Sequence, residues 1–122
     1  MNLFVLVARL IGISRMIFGG TLLLWPTMIR ILWGDKEGKP TVKISIRALG
    51  ARDFLLGLGV NLTVSGMHPD AVRWVTFSAV ADAVDVLSMW RETNLPRRHR
   101  RRLMLASGIS AILGFVAAIG LP

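Results

Sequence analysis

Residues 103–121 read LMLASGISAILGFVAAIGL, nineteen consecutive positions without a charged side chain. A hydrocarbon core of about 30 Å is crossed by about 20 helical residues rising about 1.5 Å each, so this stretch alone predicts a membrane-spanning helix. Working back toward the N-terminus, three further apolar runs of similar length lie near 3–25, 44–65 and 71–90. Each ends on breakers: Trp25-Pro26 after the first, Ser65-Gly66 with Pro69 beyond the second, and Asn94-Leu95-Pro96 after the third. The pattern predicts an all-α fold, a four-transmembrane-helix bundle forming a single integral membrane domain over 1–122.

Composition agrees with that reading. The 122 residues are 53% hydrophobic with a mean hydropathy of +0.59, yet 18% are charged, as happens when long apolar runs alternate with densely charged connectors. A net charge of +8 would suggest nucleic acid in a soluble chain. Here the positive charges lie between apolar runs, so the expected partner is the lipid bilayer and not nucleic acid. The absence of cysteine excludes a disulfide framework and a thiolate metal site. Met1-Asn2-Leu3-Phe4 lacks the basic segment of a signal peptide and no cleavage site follows, which predicts a retained first helix.

Basic residues segregate by connector. The first carries Arg30, Lys36, Lys39 and Lys43, the third carries Arg91, Arg97, Arg98, Arg100, Arg101 and Arg102, and the second has only Arg73. By the positive-inside rule, loops 1 and 3 are cytoplasmic and both termini lie outside. Trp25, Trp74 and Trp90 fall at span ends and Trp33 in the adjoining loop, as in an aromatic belt. Residues 28–33 are expected to lie along the interface before a polar turn over 34–40. The run Arg97-Arg98-His99-Arg100-Arg101-Arg102 reads as a topology signal, with anionic-lipid contact as a by-product.

Several charges fall inside the spans. Arg47 can snorkel to the interface. Arg9, Arg15 and Arg52, with Asp53, Asp82 and Asp85, cannot all do so, and six unpaired charges would cost on the order of 15–20 kcal/mol. They are therefore expected to pair in a polar cluster supplied by the first three spans, with the uncharged fourth as the wall that closes it. Spacing supports a shared inward face: Ser78, Asp82, Asp85 and Met89 form one stripe, Gly50, Asp53, Gly57 and Asn61 a second, and Gly12, Arg15 and Gly19 a third. The first two runs also echo each other at an offset of 38, Arg9 with Arg47, Gly12 with Gly50, Arg15 with Asp53 and Gly19 with Gly57.

The segment Arg47-Ala48-Leu49-Gly50-Ala51-Arg52-Asp53-Phe54-Leu55-Leu56-Gly57-Leu58-Gly59, with Ala81-Asp82-Ala83-Val84-Asp85 and residues 9–20, resembles an uncharacterised bacterial family of small four-helix membrane proteins. The resemblance covers most of the chain and implies a multi-pass protein of the bacterial cytoplasmic (inner) membrane, without an activity. In size and helix count the chain is also similar to small bacterial membrane-bound terpene cyclases, which protonate a prenyl chain or its epoxide. It differs from small multidrug-resistance exporters, whose first-helix Glu is replaced here by a span bearing Arg9 and Arg15.

Three functions compete at this point. The leading expectation is an accessory or scaffold subunit whose buried ion pairs fix helix register, as a homo-oligomer or with a membrane partner protein. One alternative is a site or enzyme for a prenyl or other lipid-like molecule. A carboxylic acid in an apolar pocket resists ionisation and can serve as a proton donor, which makes Asp82 the first candidate acid, with Asp85 and Asp53 beside it. Candidate ligand-binding residues are Arg15, Arg52, Asn61 and the aromatics Trp74, Phe77 and Trp90, whose faces suit a cation. The other alternative is an oligomeric transporter with Asp82 and Asp85 on a proton path. No cofactor and no metal are expected: Asp82 and Asp85 face arginines, and His68 and His99 lie in loops on opposite sides.

Overall fold

In the computed structural model, which describes residues 2–28, 40–91 and 97–122, four α-helices form and no strand occurs among those residues. Helix α1 is Leu3–Leu24, α2 is Pro40–Ser65, α3 is Ala71–Arg91 and α4 is Arg97–Gly120. Asn2 caps α1 by accepting a 2.9 Å hydrogen bond from the Phe4 amide. The helix stops where Trp25-Pro26 predicted it would, and Pro26–Met28 adds one 3-10 turn. Between α2 and α3 the left-handed residue is Met67, at φ 50°, rather than the neighbouring Gly66, and the His68 amide closes the turn on the Thr63 carbonyl at 2.8 Å.

Two helices start earlier than their apolar runs. Pro40, with its fixed φ, opens α2, as proline does at a first helical position. The arginine run lies inside α4 rather than in a connector. Arginine is a good helix former, and Arg100 ties this first turn to its neighbour by donating to the carbonyls of Met89, at 2.8 Å, and Trp90. The expected interfacial segment 29–33, the polar turn through 39 and the breaker at 94–96 lie outside the described residues.

The helices alternate up and down, α1 packing chiefly on α2 and α3 on α4. At the end bearing the N-terminus of α1, all four meet through Ala8, Val60, Val64, Ala71, Val75, Ala117 and Ala118. Four alanines let the backbones approach there. At the opposite, arginine-rich end the buried apolar cluster is Leu22 and Ile46 with Phe18 and Leu49, which belong to α1 and α2 alone. The bundle is closed at one end and open between its two helix pairs at the other.

The α1–α2 crossing explains the 38-residue echo. Antiparallel packing sets Gly12 on Gly57 and Gly19 on Gly50, with Arg15 and Asp53 between them, so the echoed positions touch crosswise about a local pseudo-two-fold axis. A Cβ on Gly19 or Gly57 would overlap backbone of the other helix. At the closed end Trp74 lies against Gly59 in the same manner, its ring occupying the space a Cβ would need. Gly59→Ala is accordingly expected to displace the Trp74 ring, seen as a shift in tryptophan emission, with a stability loss of about 1–2 kcal/mol in a detergent unfolding titration.

Helix α1 and residues Arg100–Gly120 of α4 are long and apolar enough to cross a membrane; of the four expected spans, α2 and α3 do not meet that measure. The residues that lower α2 and α3 are Arg52, Asp53, Asp82 and Asp85, and these face one another between the helices. Only 22% and 17% of the apolar windows of α1 and α4 are buried, whereas a soluble core helix would be mostly covered. Leu24, Leu62, Phe77, Val84 and Ile119 are among the large apolar side chains exposed on every helix.

Candidate functional site

Arg15 sits at the middle of α1 with Gly12 and Gly19 one turn away on either side, and the close α2 backbone leaves its long side chain one direction to take. It is 6% exposed. Its Nη1 donates to Asp53 Oδ1 at 2.7 Å, and its Nη2 donates to the Ser78 carbonyl at 2.8 Å and to Asp82 Oδ1. One guanidinium therefore joins α1, α2 and α3. Arg52 completes the network with a forked pair to Asp85, 3.1 and 2.8 Å to Oδ1 and Oδ2, and with Nε and Nη2 contacts to Asp53 Oδ1 at 3.3 and 3.1 Å. Bidentate geometry of this kind is the strong form of an Arg–carboxylate pair.

The polar cluster expected of the first three spans thus forms from Arg15, Arg52, Asp53, Asp82 and Asp85. Arg9 does not join it: it is half-buried one turn and a half toward the closed end, with no ion-pair partner among the described residues. The fourth helix does not close the cluster as a plain wall. Ser110 of α4 hydrogen-bonds to Asp82 Oδ2 at 2.6 Å, and beyond that contact α4 diverges from α1.

The divergence leaves a cavity of about 630 Å³. Its walls are mostly apolar, with Leu10, Ile11 and Phe18 from α1, Leu49 from α2, Met89 from α3, and Leu103, Ile109 and Leu113 from α4. Arg15, Asp53, Asp82 and Asp85 form its polar side, with Ser14, Ser88, Ser107 and Ser110 between. A volume in this range, an apolar lining and a few converging polar groups are the features of small-molecule sites. The carboxylate oxygens can accept hydrogen bonds from a molecule held there, and the serine hydroxyls can orient it.

The other expected site residues lie elsewhere. Asn61 donates to the Gly57 carbonyl at 3.0 Å and approaches Met16 Sδ at 3.7 Å within the α1–α2 contact. Trp74 packs on Gly59, while Phe77 and Trp90 point outward at 57% and 61% exposure. None of the four lines the cavity. Conversely, the serines were not singled out in the sequence. The signal was present in α4, where Ser107 and Ser110 stand three apart on one face of an otherwise apolar helix. Ser110→Ala is expected to cost about 1 kcal/mol in a detergent unfolding titration, the usual net size of a side-chain hydrogen bond. Comparison with protein-family models, with characterised proteins and with solved structures finds no match to this chain.

Proposed function

We propose that all four helices span the bilayer, with the arginine-rich end in the cytoplasm, and that the cavity is a binding site for a small molecule with a prenyl- or lipid-like chain. One observation carries this reading: the buried Arg/Asp cluster is not sealed among packed side chains but forms one face of a cavity of about 630 Å³ that is otherwise apolar. A hydrocarbon chain fits that apolar wall. Its polar end then meets the polar side formed by Arg15, Asp53, Asp82 and Asp85. In this reading the protein is a binding protein or an acid-assisted enzyme for a lipid-like molecule.

The scaffold reading keeps one observation in its favour. Arg15 alone ties three helices together, which is the work of a register-fixing ion pair. The two readings part on ligand retention. Native mass spectrometry of protein released gently from membranes is expected to show a discrete hydrophobic mass on the wild type that is depleted at least about tenfold in Asp82→Asn, a loss on the scale of one charge-assisted hydrogen bond. A wild type carrying no such mass but a defined partner protein or a second copy would support the scaffold instead.

A further inference from the structure

The charges of the cluster beside the cavity do not balance. Arg15 from α1 and Arg52 from α2 face Asp53 from α2 and Asp82 and Asp85 from α3, while α4 reaches the cluster through the Ser110 hydroxyl. Three carboxylates thus meet two guanidiniums. Arg47 is exposed, Arg9 makes no ion pair with the cluster, and neither lines the cavity. A surplus negative charge beside an apolar cavity is unfavourable unless something neutralises it.

The hydrogen bonds show where the missing positive charge belongs. Asp82 uses one oxygen for Arg15 and the other for Ser110, and both oxygens of Asp85 are held by Arg52. All three donors that reach Asp53 converge on Oδ1, at 2.7, 3.1 and 3.3 Å. Its Oδ2 receives no donor among the described residues, although Asp53 is 5% exposed and lines the cavity. An acceptor in that position needs a donor or a cation.

We propose that the cavity selects a lipophilic cation, an amine or quaternary ammonium on an apolar chain, whose positive group sits at Asp53 Oδ2. The inference rests on the ligand-site reading above and adds the charge of the ligand. The cation supplies the positive charge by which two guanidiniums fall short of three carboxylates. The chain lies along the apolar wall of Leu10, Phe18, Leu49 and Leu103. An anionic amphiphile is disfavoured because its head would meet the surplus carboxylate, and the arginines of the run, Arg97, Arg98, Arg101 and Arg102, stand exposed on α4 without lining the cavity.

The test uses the full chain in phosphatidylcholine nanodiscs and four probes of one chain length: dodecylammonium, dodecyltrimethylammonium, dodecanol and dodecyl phosphate. Binding is read by native mass spectrometry, with empty nanodiscs subtracted. Both cations are expected to bind at least about tenfold more tightly than dodecanol. Asp53→Asn is expected to lose the cation preference while still taking up dodecanol. Asp85→Asn, which brings the count to two carboxylates and two guanidiniums, provides the same comparison if Asp53→Asn does not fold. Equal binding of dodecanol and the cations by the wild type would overturn the charge assignment and leave the hydrophobic site standing. Failure of every probe to bind would overturn both, and preference for dodecyl phosphate would overturn the cation assignment.

Discussion

Replacing Arg15 with methionine is expected to destabilise the folded protein by about 3–5 kcal/mol, the largest effect of any single substitution considered. The side chain is held to Asp53 and Asp82 and to the Ser78 carbonyl, and among the described residues it is the sole guanidinium paired with Asp82. Methionine fills most of the volume but leaves Asp82 with only Ser110 for company, and breaking a buried pair strands the remaining charge. A titration of folded protein in mixed dodecylmaltoside and sodium dodecyl sulfate micelles, followed by tryptophan fluorescence, measures the loss. Arg47→Met serves as control, because Arg47 is exposed and a change there is expected to stay within about 0.5 kcal/mol. Adding Asp82→Asn to Arg15→Met removes the stranded charge and is expected to recover at least half of the loss. A cost for Arg15→Met no larger than that of Arg47→Met would mean that Arg15 is hydrated rather than paired.

Two adjacent glycines give the second large effect and a contrast in sign. A Cβ at Gly19 would overlap the Gly50 carbonyl oxygen and the Phe54 amide nitrogen, both backbone atoms of α2 that cannot turn aside. At Gly20 the nearest atom is Phe54 Cδ2 at 3.8 Å, an ordinary contact. Gly19→Ala is therefore expected to force α1 and α2 apart, at about 1–3 kcal/mol for the overpacking. The same movement stretches the Arg15–Asp53 pair, so the cost falls toward the upper end. Gly20→Ala adds helix propensity without a clash and is expected to stabilise by up to about 1 kcal/mol. The same detergent titration separates them, and two substitutions of equal sign would show that the helices are not in contact at Gly19.

The electrostatic organisation gives these substitutions their weight. Each acidic residue of the cluster touches at least one arginine from another helix, except that Asp53 also accepts from Arg52 beside it in sequence. Close glycine contact holds α1 to α2 and charge pairing joins both to α3, and the cavity lies between α1 and α4 at the arginine-rich end.

Much of this organisation was legible in the chain itself. Hydropathy located the helices, because an apolar run of fixed length has few other uses, and Trp25-Pro26 marked the end of α1. The stripes of Gly12, Arg15 and Gly19 and of Gly50, Asp53 and Gly57 indicated the buried faces of α1 and α2, because a helix repeats its face every three to four residues whatever its neighbours. That opposite charges inside apolar runs would pair followed from the cost of leaving them alone. The tertiary structure decided the rest. It chose Arg15 and Arg52 over Arg9, since a flexible side chain can reach several partners and only the crossing of the helices selects among them. It turned Phe77 and Trp90 outward and brought Ser110 to Asp82, which depends on how α3 and α4 are rotated about their own axes. It also opened the cavity, because whether two helices stay together along their whole length is set by small residues meeting at one end, Ala8 with Ala117 and Ala118, and by the absence of such a meeting among the described residues at the other, and that is a property of pairs of helices which no single segment contains.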